Sequence, residues 1–171
     1  MADRIRLVLG DITTKKVDVV VNPAKTNLLG GEGVDGAIHR AAGPGLLEEC
    51  RAIGGCPTGE ARITKGYELP ARWVIHAVGP VWSGGHGGEH ETLASCYEQS
   101  LRLAKQHGAR RIAFPAISTG AYRFPLKEAT RIAVAPVRDF LATHDVPELV
   151  VFVAFDEGTR TAYERALKEA A

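Results

Sequence analysis

Short apolar runs rich in β-branched residues alternate along the chain with longer stretches that repeat apolar residues at helical spacing. The short runs predict six strands, at Ile5–Leu9, Val17–Val21, Ala61–Thr64, Trp73–Val78, Arg111–Phe114 and Leu149–Ala154. The longer stretches predict five helices, at Gly33–Ala42, Pro44–Ile53, Glu91–His107, Leu126–Thr143 and Thr159–Ala170. We expect Pro136 to kink or interrupt the fourth helix, because proline has no backbone N–H.

The last predicted strand contains the clearest evidence of fold class. Its sequence from Leu149 to Val153 is Leu-Val-Val-Phe-Val, and a run without polar alternation is typical of a strand covered on both faces. Together with the alternation of strands and helices, this run predicts an α/β fold, a three-layer sandwich with helices on both sides of the sheet. The chain has 171 residues and no evident linker, so we expect one domain spanning residues 1–171.

Composition and charge narrow the function classes. The chain has 21 Lys and Arg against 20 Asp and Glu, a formal net charge of +1, so no broad electrostatic surface favours nucleic acid and any anion recognition is local. No apolar stretch is long enough to span a bilayer and no signal region precedes the first strand, so we expect a cytoplasmic protein without membrane contact. Cys50, Cys56 and Cys96 lack Cys-x-x-Cys spacing, which favours reduced structural thiols.

Polar residues and glycines follow most of the predicted strands. In open α/β sheets, ligands bind outside the carboxyl ends of the strands, so separate exits converge on one cleft. Ordinary turn chemistry explains any one of these exits by itself, and it is their coincidence that favours a site. The exits are Gly10-Asp11, Asn22, Gly79-Pro80, Ser118-Thr119-Gly120 and Phe155-Asp156.

Two segments have the chemistry of an anion-binding site. The stretch from Asn22 to His39 brings glycines to the start of a helix, where free N–H groups favour negative charge. The loop 115–125 offers further N–H groups and hydroxyls, so the two segments suit a diphosphate. Asp35 and His39 are four residues apart and share a helix face, which suggests a carboxylate acting on water beside an orienting imidazole.

Three features of the sequence have more than one interpretation. Residues 31–36 match the Gly-x-Gly-x-x-Gly pattern of dinucleotide-binding oxidoreductases, but they follow the second strand through a long connection instead of the first strand through a tight turn. His86, Glu89 and His90 suggest a metal, although a mobile, solvated glycine-rich loop explains them better and we expect no metal. Asp11 either accepts a hydrogen bond from an exocyclic amine or caps the turn that begins at Ile12.

The ordered set of motifs resembles the macrodomain family, in its MacroD-type branch. The resemblance runs from about Ile5 to Leu167, with support from segments around Cys56, His76 and Phe155. Its main motifs are Gly10-Asp11-Ile12-Thr13, Val21-Asn22, Leu29-Gly30-Gly31, Gly33-Val34-Asp35-Gly36-Ala37-Ile38-His39, Ala41-Ala42-Gly43-Pro44 and Ile117-Ser118-Thr119-Gly120.

The resemblance implies a mixed, six-stranded sheet and an ADP-ribose cleft. It implies hydrolysis of the ester between the distal ribose and an acetyl group or a protein Asp/Glu side chain, with Asp35 as the catalytic carboxylate. We expect His39, from its spacing to Asp35, and Lys25, which stands where the family usually has Asn, to be the other catalytic residues. The partners would be ADP-ribosylated proteins or O-acetyl-ADP-ribose, for a monomer without a cofactor. The ligand-binding residues it implies are Asp11, Ile12, Asn22, Gly33, Val34, Ser118, Thr119, Gly120, Ala121, Tyr122 and Phe155.

Two departures from the family pattern bear on activity. The usual Asn-Ala-Ala-Asn is Asn22-Pro23-Ala24-Lys25 here, and Glu32 interrupts the four glycines. A lysine still donates to a hydroxyl or an oxyanion but does not reproduce the paired donor and acceptor of an amide. A non-catalytic ADP-ribose-binding module is therefore the alternative. We also hypothesise that a Lys25–Glu32 ion pair accommodates both substitutions.

Overall fold

The computed structural model describes residues 4–170. Its strands are β1 (Ile5–Leu9), β2 (Val19–Ala24), β3 (Ala61–Lys65), β4 (Trp73–Val78), β5 (Arg111–Phe114) and β6 (Leu149–Ala154). Its α-helices are α1 (Gly33–Ala42), α2 (Pro44–Ile53), α3 (Glu89–Gln106), α4 (Leu126–Thr143) and α5 (Glu157–Glu169), with a 3₁₀ turn at Ile12–Thr14. No helix within residues 4–170 is both long and apolar enough to cross a bilayer.

The six strands form one mixed sheet in the order β1-β6-β5-β2-β4-β3. Every adjacent pair is parallel except β3 and β4, which are antiparallel. The carboxyl ends of β1, β6, β5, β2 and β4 therefore lie at the same edge of the sheet. The predicted α/β class and the mixed six-stranded sheet are confirmed.

Alternation along β2 shows how the two faces of the sheet are covered. Val19 and Val21 belong to the apolar layer beneath α3, α4 and α5, whereas Val20 and Ala24 belong to the layer beneath α1 and α2. Successive strand residues point to opposite faces, so Asn22 lies on the α1–α2 face. The continuous apolar runs seen in the sequence are thus strands buried on both sides, and the three-layer sandwich is confirmed.

Two prolines lie inside regular elements. Pro23 is in β2 beyond Val20, the last residue paired with β5, where the strand has a neighbour on one side only. This position lets β2 extend to Ala24, three residues past its predicted end. Helix α4 continues through Pro136 without the interruption that we expected, and Val134 and Val137 on either side are both buried in the same core.

Glu89 organises the glycine-rich segment before α3. Its carboxylate accepts hydrogen bonds from the backbone N–H groups of Ser83 at 2.9 Å, Gly85 at 2.9 Å and Gly87. These bonds start α3 two residues before its predicted beginning and tie the segment that we expected to be mobile to the helix. The N–H groups, that of Ser83 first, lower the pKa of Glu89 to about 2 from its ordinary value of 4.5.

We predict that Glu89→Gln destabilises the fold by an amount that depends on pH. Because the folded pKa is below the ordinary one, the ionised carboxylate stabilises the native state above pH 4.5, and this stabilisation is lost as the pH falls towards 2. Urea unfolding at several pH values should show that the difference in the free energy of unfolding between wild type and variant becomes smaller below pH 4.5. Glu91→Gln, at an exposed neighbour, is the control, and a constant difference would contradict the assignment.

Candidate active site

At the middle of the sheet edge, between β2 and β5, the connections leave the two neighbouring strands in opposite directions across the sheet. Strands β2 and β5 are neighbours, but the connection after β2 leads towards β4 while that after β5 leads towards β6. Such a switch point opens a crevice outside the carboxyl ends of the two strands. The loops that border it are residues 25–32 after β2, which lie within the predicted anion-binding stretch Asn22–His39, and residues 115–125 after β5, which are the second predicted segment.

A buried hydrogen bond joins the end of β2 to the first turn of α1. Asn22 Nδ2 donates to Asp35 Oδ1 at 2.9 Å, and the two residues are 0% and 5% exposed. The remaining polar atom of each side chain, Asn22 Oδ1 and Asp35 Oδ2, is buried and has no hydrogen-bond partner within residues 4–170. Buried acceptors are normally satisfied, so this pair suits a ligand that brings hydroxyl groups or a water molecule.

Lys25 reaches the same pair from the other side of the glycine loop. A Cβ atom on Gly31 would lie 2.8 Å from Lys25 Nζ and 3.6 Å from Asp35 Oδ2, so the ammonium and the carboxylate flank this glycine. No ion pair between Lys25 and Glu32 is found in the part of the chain that the structure describes. That hypothesis is wrong, because Lys25 turns towards Gly31 whereas Glu32 is an exposed residue preceding α1.

His39 lies one helical turn after Asp35, as their spacing predicted. Its Nε2 is 3.6 Å from Asp35 Oδ1, which is longer than a hydrogen bond. Burial lowers the pKa of His39, and the nearby Asp35 charge opposes that effect only in part. The imidazole is therefore neutral at pH 7 and forms a wall of the site beneath Gly30, whose Cβ would lie 3.3 Å from the ring.

The loop after β5, which borders the crevice, contains a run of unpaired backbone amides. Within residues 4–170, the N–H groups of residues 118–122 donate no hydrogen bond to another backbone group. Successive free N–H groups form an anion-binding concavity. The loop is held in this shape by Phe124 N–H donating to Ser118 O at 2.9 Å and by Thr119 Oγ1 donating to Ala116 O at 3.0 Å.

Gly79 allows this loop to approach β4. A Cβ at this position would overlap Ser118 Oγ, so only glycine fits beneath the loop. Ser118 has a left-handed φ of 66°, and its buried hydroxyl oxygen has no partner within residues 4–170. On the same loop, the pKa of Tyr122 is raised first by burial and then by the charge of Asp35.

Asp11, Ile12 and Phe155 meet at the far end of the same edge. Gly10 N–H donates to Ala154 O at 2.9 Å, which brings the exits of β1 and β6 together. Asp11 Oδ1 accepts from Thr13 N at 2.9 Å and from Thr13 Oγ1 at 2.7 Å, so it caps the 3₁₀ turn and leaves Oδ2 for another partner. Phe155 is 69% exposed and directly follows β6, whose last residue pairs with the last residue of β1.

His76 is a buried polar residue of this region to which the sequence analysis assigned no role. It pairs with Asn22 across β2 and β4, and its Nδ1 lies 3.1 Å from Asn22 Nδ2. Its Nε2 lies 2.9 Å from Thr64 Oγ1 on β3. The one signal in the sequence is a histidine within the apolar run Trp73–Val78, and its polar partners are distant along the chain.

Three potential metal ligands lie close together beneath the site. Atoms of His39, Cys50 and His76 are all within 4.8 Å of one another. Both nitrogens of His76 are already hydrogen-bonded, and burial raises the pKa of the Cys50 thiol to about 11. A metal would have to displace these bonds and remove the thiol proton, so the donor chemistry favours a hydrogen-bonded cluster.

Comparisons with known proteins agree with this geometry. The family model of the Macro domain matches residues 21–133. A macro domain-containing protein of Methanosarcina mazei is 56% identical over 98% of this chain and 89% of its own length. A Citrobacter koseri protein named O-acetyl-ADP-ribose deacetylase is 54% identical over 99% of this chain and 98% of its own. The chain belongs to the macro domain family, which confirms the resemblance.

Solved macrodomain structures share the whole fold. The Oceanobacillus iheyensis macrodomain with ADP has a TM-score of 0.92 and 44% identity, covering 96% of this chain and 90% of that one. The Trypanosoma brucei macrodomain in complex with ADP-ribose has a TM-score of 0.91 and 47% identity, covering 96% of this chain and 69% of that one. The arrangement of helices on a mixed sheet is therefore that of ligand-binding macrodomains.

We predict opposite effects of alanine at two helical glycines. Alanine is favoured over glycine in a helix by about 1 kcal/mol, so Gly158→Ala in α5, whose Cβ meets only an ordinary contact, should raise Tm. In α1, a Cβ on Gly36 would overlap the carbonyl oxygen of Gly31. We expect Gly36→Ala to destabilise by about 1–3 kcal/mol, and calorimetry showing both variants equally stabilised would contradict this packing.

Proposed function

We propose that this macro domain binds ADP-ribose and hydrolyses esters of its distal ribose, removing mono-ADP-ribose from acidic side chains, deacetylating O-acetyl-ADP-ribose, or both. The observation that carries the proposal is the buried Asn22–Asp35 pair, which leaves a carboxylate oxygen without a partner in the first turn of α1, at a sheet edge bordered by the free N–H groups of residues 118–122. The deacetylase name of the Citrobacter koseri relative and the ADP-ribose complex of the Trypanosoma brucei macrodomain support it.

The ligand extends along the sheet edge. Adenine lies against Phe155, with its exocyclic amine donating to Asp11, and Ile12 beneath it is buried. The diphosphate lies between the N-terminus of α1, at Gly33 and Val34, and the free N–H groups of residues 118–122. The distal ribose then reaches the unpartnered acceptors of Asn22 and Asp35 at the middle of the edge.

Asp35 acts as a general base in this proposal. Its free Oδ2 takes a proton from a water molecule while the water oxygen bonds to the acyl carbon of the ester. The ribose C–O–acyl bond then breaks on the acyl side, and the departing ribose oxygen takes up the proton. The products are ADP-ribose and a free carboxylic acid, from acetate or from the protein side chain.

Lys25 supplies positive charge beside this reaction. Its ammonium lies on the other side of Gly31 from the Asp35 carboxylate and donates to the negative oxygen that develops when water adds to the ester. The same charge favours a second candidate function, a binding module without turnover. An ammonium that draws Asp35 into an ion pair would bind ligand well but remove the base.

Asp35→Asn should separate binding from catalysis. The amide keeps the size of the carboxylate but cannot accept the proton of water, so we expect turnover to fall by at least roughly 10²-fold. ADP-ribose affinity, measured by calorimetry, should stay within a few-fold of wild type. Released ADP-ribose would be followed with a peptide mono-ADP-ribosylated on Glu and with O-acetyl-ADP-ribose. Tight binding without release by the wild type would instead support the binding module.

Substitution of Lys25 tests whether its positive charge contributes to turnover. Lys25→Met keeps the apolar stem and removes the ammonium, so we expect kcat to fall by roughly 10²-fold with a smaller change in KM. Lys25→Asn restores a neutral donor and should retain more activity than Lys25→Met. Lys16→Met, at an exposed lysine, is the control. If Lys25→Met gained turnover, the ammonium would be inhibitory and the second candidate would be favoured.

A further inference from the structure

A line of buried polar side chains crosses three strands beneath the candidate site. Asn22 on β2, His76 on β4 and Thr64 on β3 are 0%, 0% and 2% exposed, on the face of the sheet covered by α1 and α2. Polar groups buried this deeply are costly unless each donor meets an acceptor. The line begins at the Asp35 carboxylate and ends at the backbone carbonyl of Lys65.

The donors and acceptors along this line are fixed by its two ends. A carboxylate only accepts, so Asn22 presents its NH₂ group to Asp35 Oδ1 at 2.9 Å. The same NH₂ group lies 3.1 Å from His76 Nδ1, which therefore accepts and carries no proton. His76 Nε2 then holds the ring proton and donates it to Thr64 Oγ1 at 2.9 Å. Thr64 in turn donates to Lys65 O at 3.1 Å.

The other amide orientation of Asn22 is disfavoured at both contacts. Rotation by 180° would place Asn22 Oδ1 against Asp35 Oδ1 and against the lone pair of His76 Nδ1. Two acceptors facing each other in a buried site cost the hydrogen bonds and add repulsion. If instead His76 were protonated at Nδ1, it would donate to Asn22 Oδ1 and favour the rotated amide. The tautomer of His76 therefore either supports or opposes the amide orientation that the Asp35 carboxylate requires, and the tautomer with a bare Nδ1 supports it.

Burial keeps His76 in one protonation state. Desolvation, and next the neighbouring His39 ring, lower the pKa of His76 to about 3. The Cys50 thiol, whose Sγ is 3.8 Å from His76 Nε2, keeps its own proton at neutral pH and does not transfer it to the ring. The ring is neutral, and its single proton is held on the side of Thr64.

We propose that His76 is a positioning residue of the active site: its unprotonated Nδ1 fixes the amide of Asn22, which holds Asp35 Oδ1 and leaves Oδ2 free for the substrate. His76 acts through Asn22 and not by contact with the ligand, because both of its ring nitrogens already meet protein partners, Asn22 and Thr64. The catalytic part of this inference rests on the proposed hydrolase function, whereas the tautomer and the amide orientation do not.

Two substitutions of His76 separate its two nitrogens. In His76→Asn, the side-chain oxygen takes the position of Nδ1 and still accepts from Asn22, but the contact with Thr64 is lost. In His76→Gln, the amide reaches the position of Nε2 and still meets Thr64, but the acceptor for Asn22 is lost. Both variants remove the ring and leave a cavity, so a purely structural role predicts similar losses of Tm and of activity in both.

We expect His76→Asn to retain kcat within a few-fold of wild type and His76→Gln to lose roughly 10²-fold, because small misplacements of a catalytic group have effects of this size. KM should change far less than kcat in both. Equal kcat values for the two variants would overturn the proposal and leave the hydrolase function standing. Thr64→Ser, which keeps the acceptor, should behave like wild type, and Thr64→Val should resemble His76→Gln.

Nitrogen NMR of the ¹⁵N-histidine-labelled wild-type protein tests the tautomer without any activity. His76 should show a bare Nδ1 and a protonated Nε2, unchanged between pH 8 and pH 5. A proton on Nδ1 would overturn the proposal. If the wild type shows the expected tautomer but hydrolyses neither ester, the proposed function fails while the orientation of Asn22 stands, so the two failures are distinguishable.

Discussion

The hydrogen bond from Asn22 to Asp35 is the contact on which the rest of the site depends. It joins Asn22, near the end of β2, to Asp35, in the first turn of α1, 13 positions later in the sequence. The glycine loop between them is thereby closed into a fixed shape. Leu28, buried with a left-handed φ of 62°, anchors the middle of that loop in the core beneath α1 and α2. The loop is held at both ends and at its centre.

Holding the loop in this way aligns three sources of favourable electrostatics. The N-terminus of α1 presents free N–H groups, the loop after β5 presents five more, and Lys25 adds a full charge. Helix termini and backbone concavities both favour anions. Asp35 is the one carboxylate buried among them within residues 4–170, so its negative charge lies among groups that also favour an anionic ligand.

The sequence predicted most of the elements because their signals are local. Glycines, prolines and apolar periodicity placed all six strands and five helices within a few residues. What it missed depends on contacts between distant residues: Glu89 closing the segment before α3, and His76 meeting an Asn 54 positions away. A single histidine in an apolar strand is usually a core residue, so only the register of β2, β4 and β3 shows that it belongs to a polar line.

The direction in which Lys25 points was also beyond the sequence. Charge and spacing made Glu32 a reasonable partner, but in the folded loop the Lys25 ammonium lies against Gly31 instead. Loop conformations of this kind follow from packing against α1, where Gly36 meets the Gly31 carbonyl. Residue identities alone do not determine them.

The two unpartnered acceptors beside Lys25 explain why the polar line beneath them has one fixed direction. Each buried acceptor without a partner destabilises the free protein by about 1–3 kcal/mol, so any side-chain rotation that satisfied it internally would be favoured. Asn22 is the residue best placed to relax in this way, since its amide can rotate in place. With its NH₂ group committed to both Asp35 and His76, rotation loses two hydrogen bonds and gains none. Both acceptors therefore stay unpaired within residues 4–170, and in the function that we propose a ligand rich in hydroxyl groups recovers the free energy that their burial costs.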